Sequence, residues 1–242
     1  MRPRLKSIAR AARSFAYRIA YRGRGHWCPV CESHTRRFRP FGIEYRREQA
    51  MCVHCGALER HRLVWLFLER HTDVLTSGNK RVLNIAPEPC EVRIKRRVGP
   101  GYISADLSDP TVDIRVDVTR LPWPDGQFDL LYCSHVLEHV PDDRAALREF
   151  RRVLAPRGMA LLLVPMTAPA TFEDPTITDP RDRLLAFGQE DHVRRYGPDV
   201  RDRIRDAGFR LRTIRAEDVA VPTEIALMGL DGAGDLFLGT HR

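Results

Sequence analysis

The sequence predicts an α/β fold, a parallel sheet with helices on both faces, preceded by a small four-cysteine module. Three observations carry this. From Lys80 onward, short apolar runs alternate with helical segments, the pattern of strands and helices packed in layers. Four of the six cysteines fall in two CxxC pairs near the N-terminus. The 242 residues suit one ordinary domain with a small appendage. The expected organisation is a basic arm over 1–25, a zinc-ribbon-like module over 26–60, and the α/β domain over 61–242.

The arm holds eight basic side chains and no acid, and without it the chain balances at 32 basic against 32 acidic residues. The formal charge of +8 therefore resides in the arm. Leu5, Ile8, Ala12, Phe15 and Ile19 recur at helical spacing, so residues 3–21 read as an amphipathic helix. Such a stripe packs on the protein's own body or a second subunit, or it meets an anionic membrane surface or RNA phosphates. No apolar run approaches the 18 or so residues that span a bilayer, and no secretory signal is read. The expected location is cytoplasmic, at most peripheral to a membrane.

In the module, Cys28 and Cys31 form "CPVC", and Cys52 and Cys55 form "CVHC". Each pair puts two thiols on a tight turn, and two such turns supply four sulfur ligands for a structural Zn2+. Two redox-active dithiols are the alternative. Four thiolates leave no open coordination position, so the ion serves folding. His26, His34 and His54 lie close enough in sequence to replace a ligand.

Residues 57–75 form a helix with a dense apolar centre, ended by "TSGNK". Strands are expected over 81–86, 102–106, 112–117, 128–134, 158–164, 208–214 and 234–240. A helix over 143–154 is capped by Asp142 or Asp143, faces inward with Ala146, Leu147, Phe150 and Leu154, and is stopped by "PRG".

Acidic and polar residues gather at the strand ends. Asp106 closes the second strand, twenty residues beyond Ala86, where a carboxylate accepts the ribose hydroxyls of a nucleoside. Asp117 closes the third strand, where it could accept from an adenine amino group. Ser134 and His135 end the fourth. A single strand-end Asp is more often a cap or turn former; the ordered set is what points to a nucleoside-type ligand.

Residues 124–165, "PDGQFDLLYCSHVLEHVPDDRAALREFRRVLAPRGMALLLVP", resemble the central segment of class I S-adenosylmethionine-dependent methyltransferases of the type-11 group. The resemblance extends from about Arg81 to the C-terminus. It implies a Rossmann-like seven-stranded sheet whose last strand is antiparallel. It also implies that Asp106 and Leu107 lie at the ribose, Asp117 and Val118 at the adenine, and Ser134 and His135 near the methionine part of the cofactor. The first loop departs from the family, which reads V-L-D-x-G-x-G-x-G. Here Asn84 replaces the Asp, and Ala86, Glu88 and Cys90 replace the glycines. Ala86, Pro87 and Glu88 are then the loop's cofactor residues, with Glu88 facing the ammonium group and Pro87 and Pro89 stiffening the path.

An insertion over about 166–196 overhangs the strand ends. Its His192, Arg194, Arg195 and Tyr196 either bind an acidic acceptor or hold the insertion together. "HVLEH", the cysteine module and "GQEDHVRRYG" together resemble bacterial methyltransferases of cell-surface glycan and secondary-metabolite pathways. The expected activity is therefore methyl transfer to a small-molecule or glycan-type acceptor, with His139, His135 and His192 as candidate bases. An RNA methyltransferase and a non-catalytic scaffold are the rival functions. Nucleic acid is the weaker partner, because the charge outside the arm is balanced.

Overall fold

The computed structural model describes residue 17 and residues 19–42 and 46–241. The amphipathic stretch expected over 3–21 falls outside them, apart from Tyr17 and residues 19–21. By internal contacts the chain divides into two units that interleave along the sequence. The first is Met1–Leu75 with Glu88–Arg96 and Arg215–Gly234; the second is Thr76–Pro87, Arg97–Ile214 and Asp235–Arg242.

The first unit opens with two small antiparallel hairpins. β1 (His26–Cys28) pairs with β2 (Ser33–Thr35), and β3 (Arg39–Phe41) pairs with β4 (Arg47–Met51). Helix α1 (Glu59–His71) follows and buries Leu63, Val64, Trp65, Leu66, Phe67 and Leu68 in one unbroken run. A helix apolar all round is a core helix, which accounts for the dense apolar centre in the sequence. α2 (Val92–Val98) comes next in the chain.

The second unit is built on a seven-stranded sheet. Its strands in chain order are β5 (Val82–Ile85), β6 (Tyr102–Asp106), β7 (Ile114–Arg115), β8 (Phe128–Ser134), β9 (Leu154–Leu163), β12 (Phe209–Ile214) and β13 (Leu236–His241). In space they run β12-β13-β9-β8-β5-β6-β7. β13 is antiparallel to both neighbours, and the pairs among β5 to β9 are parallel. All four residues of β5 are buried, as expected of a strand covered on both faces. Phe128, Leu131, Leu147, Phe150, Leu162 and Phe237 belong to its core.

Helix α3 (Asp143–Val153) is capped by Asp142, whose carboxylate accepts from the Ala145 amide at 2.8 Å. Ala146, Leu147, Phe150 and Val153 form its buried face. "PRG" does not stop it. The chain turns from helix to strand at Leu154, and Pro156, Arg157 and Gly158 lie within β9. A Cβ at Gly158 would come within 2.7 Å of the Phe128 carbonyl, where the β8–β9 register shifts.

The insertion has its own order. β10 (Phe172–Glu173) pairs antiparallel with β11 (Arg194–Arg195), and α4 (Pro180–Phe187), capped by Asp179, lies between them. α5 (Val200–Asp206) follows in this unit and α6 (Pro222–Met228) in the first. Among the described residues no helix is long and apolar enough to cross a membrane.

Candidate functional site

Four sulfurs converge in the first unit. Cys28 ends β1, Cys31 sits in the turn after it, and Cys52 and Cys55 bracket the turn that follows β4. The Cys28 and Cys55 sulfurs are 3.7 Å apart, as are those of Cys31 and Cys52, and all four lie within 4.8 Å of one another. Zinc–sulfur bonds of about 2.3 Å in a tetrahedron give sulfur separations of about 3.8 Å, so the cluster fits that ion. The His54 amide donates to the Cys52 sulfur at 3.4 Å, and Gly56 takes a left-handed φ of 79° to turn the chain. The sulfur hydrogen bonds raise the Cys28 thiol and lower Cys31, the first cause in each case being its contact with the other. His26 and His54 turn a ring nitrogen toward the carbonyls of Arg36 and His34 and are not in the cluster.

Arg62 is fully buried in the same unit. Its guanidinium donates to the carbonyls of Ala50, Ala57 and Gly229 and lies 4.0 Å over the Phe38 ring. Burial pulls its pKa down, while the charges of Cys28, Glu59, Cys52 and Cys55 push it up. A buried cation beside four thiolates offsets charge that a divalent ion alone leaves uncompensated.

In the second unit, Ile85 of β5 stands opposite Ala105 of β6 and Cys133 of β8. Ala86, Asp106 and Ser134 therefore follow side by side at the ends of three adjacent parallel strands. That edge is where ligands bind in open α/β sheets. Ala86 has φ 51° and His135 has φ 56°, a left-handed backbone that costs a residue with a Cβ about 1–2 kcal/mol. Ala86 keeps it through an amide bond to the Ala105 carbonyl at 2.7 Å, and His135 through one to the Leu163 carbonyl at 2.9 Å. Strained backbone held by its surroundings gathers at functional sites. The Ser134 hydroxyl is buried and has no hydrogen-bond partner among the described residues. Asn84, in the family's Asp position, is buried and donates to the Tyr102 hydroxyl at 2.8 Å.

Asp106 accepts the Ser108 and Asp109 amides on Oδ1, at 2.7 and 2.8 Å, and Leu107 is exposed. β7 ends at Arg115, so Asp117 sits in the turn beyond it and accepts from Thr119 at 2.8 Å. Val118 beside it is buried. Pro87 is half-buried. Glu88 belongs to the first unit, where its carboxylate accepts from Arg60 and, at 2.9 Å, from His61 Nε2. Burial alone would raise its pKa, but His61 and Arg60 hold it at about 2.

Beyond Ser134 the chain makes a 3-10 turn over Leu137–His139, and three predicted histidines gather around it. His135 Nδ1 is 3.3 Å from Glu138 Oε1, and His139 Nδ1 is 3.2 Å from Asp191 Oδ2. The His139 and His192 rings meet edge-on at 4.6 Å. Burial lowers the His192 pKa, with the Glu138 charge opposing it and that of His139 adding to it. Sequence reasoning passed over Glu138, which is 1% exposed, and Asp191; the acidic neighbours in "LEH" and "EDH" were the available signal.

Arg194 is buried and donates to the carbonyls of Leu137, Val140 and Pro141 and to Glu173. Tyr196 donates to Asp143 at 2.6 Å, and burial and the Asp143 charge push its pKa up. Both hold the insertion to the 137–143 segment.

Residues 70–162 match the family described as "Methyltransferase domain". A malonyl-[acyl-carrier protein] O-methyltransferase of Halorhodospira halophila is 35% identical over 38% of this chain and 30% of its own length. A 27-O-demethylrifamycin SV methyltransferase of Amycolatopsis mediterranei is 31% identical over 54% and 46%. The chain thus spans less than half the length of these curated relatives. An S-adenosylmethionine dependent methyltransferase from Mesorhizobium loti shares the fold, with a TM-score of 0.50 at 18% identity over 74% of this chain and 98% of that one.

Proposed function

We propose, from the match of residues 70–162 to the methyltransferase-domain family, that the chain transfers a methyl group from S-adenosylmethionine to an oxygen of a small-molecule or glycan-type acceptor. The observation that carries the reading is the left-handed backbone at Ala86. The first strand end takes a conformation that favours glycine, at a position where the family carries one, although the glycine itself is gone. Asp106 would hold the ribose with Leu107 beside it, and Asp117 and Val118 would flank the adenine. Ala86, Pro87 and Ser134 would face the methionine part, Ser134 with a buried hydroxyl that lacks a partner in the protein.

The cofactor, when bound, supplies a methyl group on a sulfonium. The chain's part is alignment and proton handling, and alignment alone is worth roughly 7–11 kcal/mol. His135, one-third exposed and turned toward Glu138, is placed to take the acceptor's proton. The names of two relatives, an O-methyltransferase and a demethylrifamycin methyltransferase, favour an oxygen acceptor. Cys28, Cys31, Cys52 and Cys55 would hold a structural Zn2+. Reduced thiols suit the cytoplasm, and the arm over 1–25 would be available to an anionic surface.

Calorimetric titration with S-adenosylhomocysteine tests the reading. Saturable binding is expected, weakened at least about tenfold in Asp106→Ala, which is 1.4 kcal/mol, with unchanged circular dichroism. No heat at high micromolar ligand would defeat it.

A further inference from the structure

We propose that Glu138, His139 and His192 hold a divalent cation of the Mn2+, Fe2+ or Zn2+ class, with open positions for acceptor oxygen. One ligand atom from each lies within 4.8 Å of those of the other two. Two imidazoles and one carboxylate on one side of an ion form a ligand set for such metals that leaves neighbouring coordination positions free.

Each residue has one end tied and one end available. Asp191 holds Nδ1 of His139 at 3.2 Å, leaving Nε2. His192 bonds the Phe187 backbone, while its Nε2 is buried with no partner; Nδ1 must make the backbone bond. Glu138 turns Oε1 to His135 at 3.3 Å, and its Oε2 is buried with no partner. A ring nitrogen fixed by an oxygen while the other ligates is the usual outer support of a metal-bound histidine. The two orphan atoms sit on side chains more than nine-tenths buried, with Glu138 1% and His192 6% exposed. A carboxylate oxygen sealed from water with no donor is unfavourable, and a cation between it and two imidazoles removes that cost.

The scaffold joins the two segments that supply the ligands. The Val193 amide donates to the Glu138 carbonyl at 2.9 Å, and Arg194 donates to the Leu137, Val140 and Pro141 carbonyls. Bonds of about 2.1 Å would set ligand spacings of roughly 3.0–3.4 Å, against the 4.8 Å within which one ligand atom of each residue lies here. His135 and His139 are each about one-third exposed and form the side of the cluster from which an acceptor would approach. A hydroxyl bound there becomes more acidic. Its proton passes to His135, its oxygen forms the new bond to the methyl carbon, and the sulfur–carbon electron pair stays on sulfur as a neutral thioether. This role rests on the methyltransferase reading; the cation site itself does not.

The test uses the full chain loaded with one equivalent of Zn2+, which the four cysteines take and which leaves the second cluster open. That chain is titrated with Mn2+ by electron paramagnetic resonance and with Co2+ by visible absorption. S-adenosylhomocysteine calorimetry runs in parallel. One Mn2+ per chain is expected, or one Co2+ without a thiolate charge-transfer band. Glu138→Gln, His192→Ala and the more exposed His139→Asn should each weaken it at least about tenfold. Binding of neither ion at about millimolar concentration, or equal binding in every folded variant, overturns the site. Cation binding without S-adenosylhomocysteine binding keeps the site and removes the methyltransferase reading.

Discussion

Two of the side-chain clusters that could hold a metal ion among the described residues are built in opposite ways. The cysteine cluster takes its ligands from residues 28–55, on two tight turns that each present a pair of sulfurs. Four equivalent sulfurs would close the coordination sphere of an ion, and Arg62 would offset their charge from within the unit. The strand-end cluster takes Glu138 and His139 from one turn and His192 from an insertion more than fifty residues later. Its side chains are mixed, two of its buried polar atoms have no hydrogen-bond partner among the described residues, and strained backbone stands beside it at His135. On the proposals made above, the closed set made locally would serve folding, and the open set made across the sheet edge would be held by the fold and left free for chemistry.

The sharpest way to break this contrast is to remove one ligand from each. Cys28→Ser or Cys52→Ser should abolish zinc retention, measured as metal per chain falling from about one to zero. Structural zinc contributes roughly 10–16 kcal/mol in small zinc modules, so the first unit should lose its cooperative melting. His192→Ala should leave the thermal midpoint within a few degrees. If the cysteine variants melt like the wild type, the cluster is not structural and the contrast collapses.

What the sequence made legible follows the same division. The cysteine cluster was readable because its ligands are close in sequence and of one type. The seven strands were readable because β5 and β8 are buried nearly end to end and carry almost unbroken apolar runs. Asp106 was placed by its distance from Ala86. The grouping of Glu138 and His139 with His192 was not readable, since His192 arrives through an insertion with no periodic pattern. Nor was the pairing of Glu88 with Arg60 and His61, because nothing local links residue 88 to a helix that ends at residue 71. The interleaving of the two units leaves no composition shift to read. "PRG" misled because a glycine after a helix usually ends it, whereas Gly158 is small to let β9 approach Phe128.

A smaller effect sharpens the strand-end side. Ala86→Gly removes the Cβ from a left-handed position, relieving about 1–2 kcal/mol against a backbone-entropy cost of roughly 0.5–1 kcal/mol. The variant should be more stable by up to about 1 kcal/mol, seen as a higher denaturant midpoint at unchanged slope. S-adenosylhomocysteine affinity should hold, because the backbone path is kept. A loss of stability would mean that the strain at Ala86 is not real. The same substitution in the cysteine module, where Gly56 already fills the left-handed turn, has nothing to relieve.

The smallest effect concerns the insertion that carries His192. Arg203 and Arg194 hold the Glu173 carboxyl down at about 2, the Arg203 hydrogen bond being the first cause, with burial opposing. The folded value lies below the ordinary 4.5. Glu173 therefore adds stability in full above about pH 4.5, and loses it as pH falls toward 2. Its side chain is 40% exposed, so solvent screening keeps the contribution modest. Denaturant midpoints measured between about pH 5.5 and 3.5 should fall less steeply in Glu173→Gln than in the wild type. Because Arg194 also ties the insertion to the Leu137–Pro141 carbonyls, cation affinity in that variant should change by less than in His192→Ala. Equal losses would mean that the ion pair, rather than the ligand, sets the geometry of the open cluster.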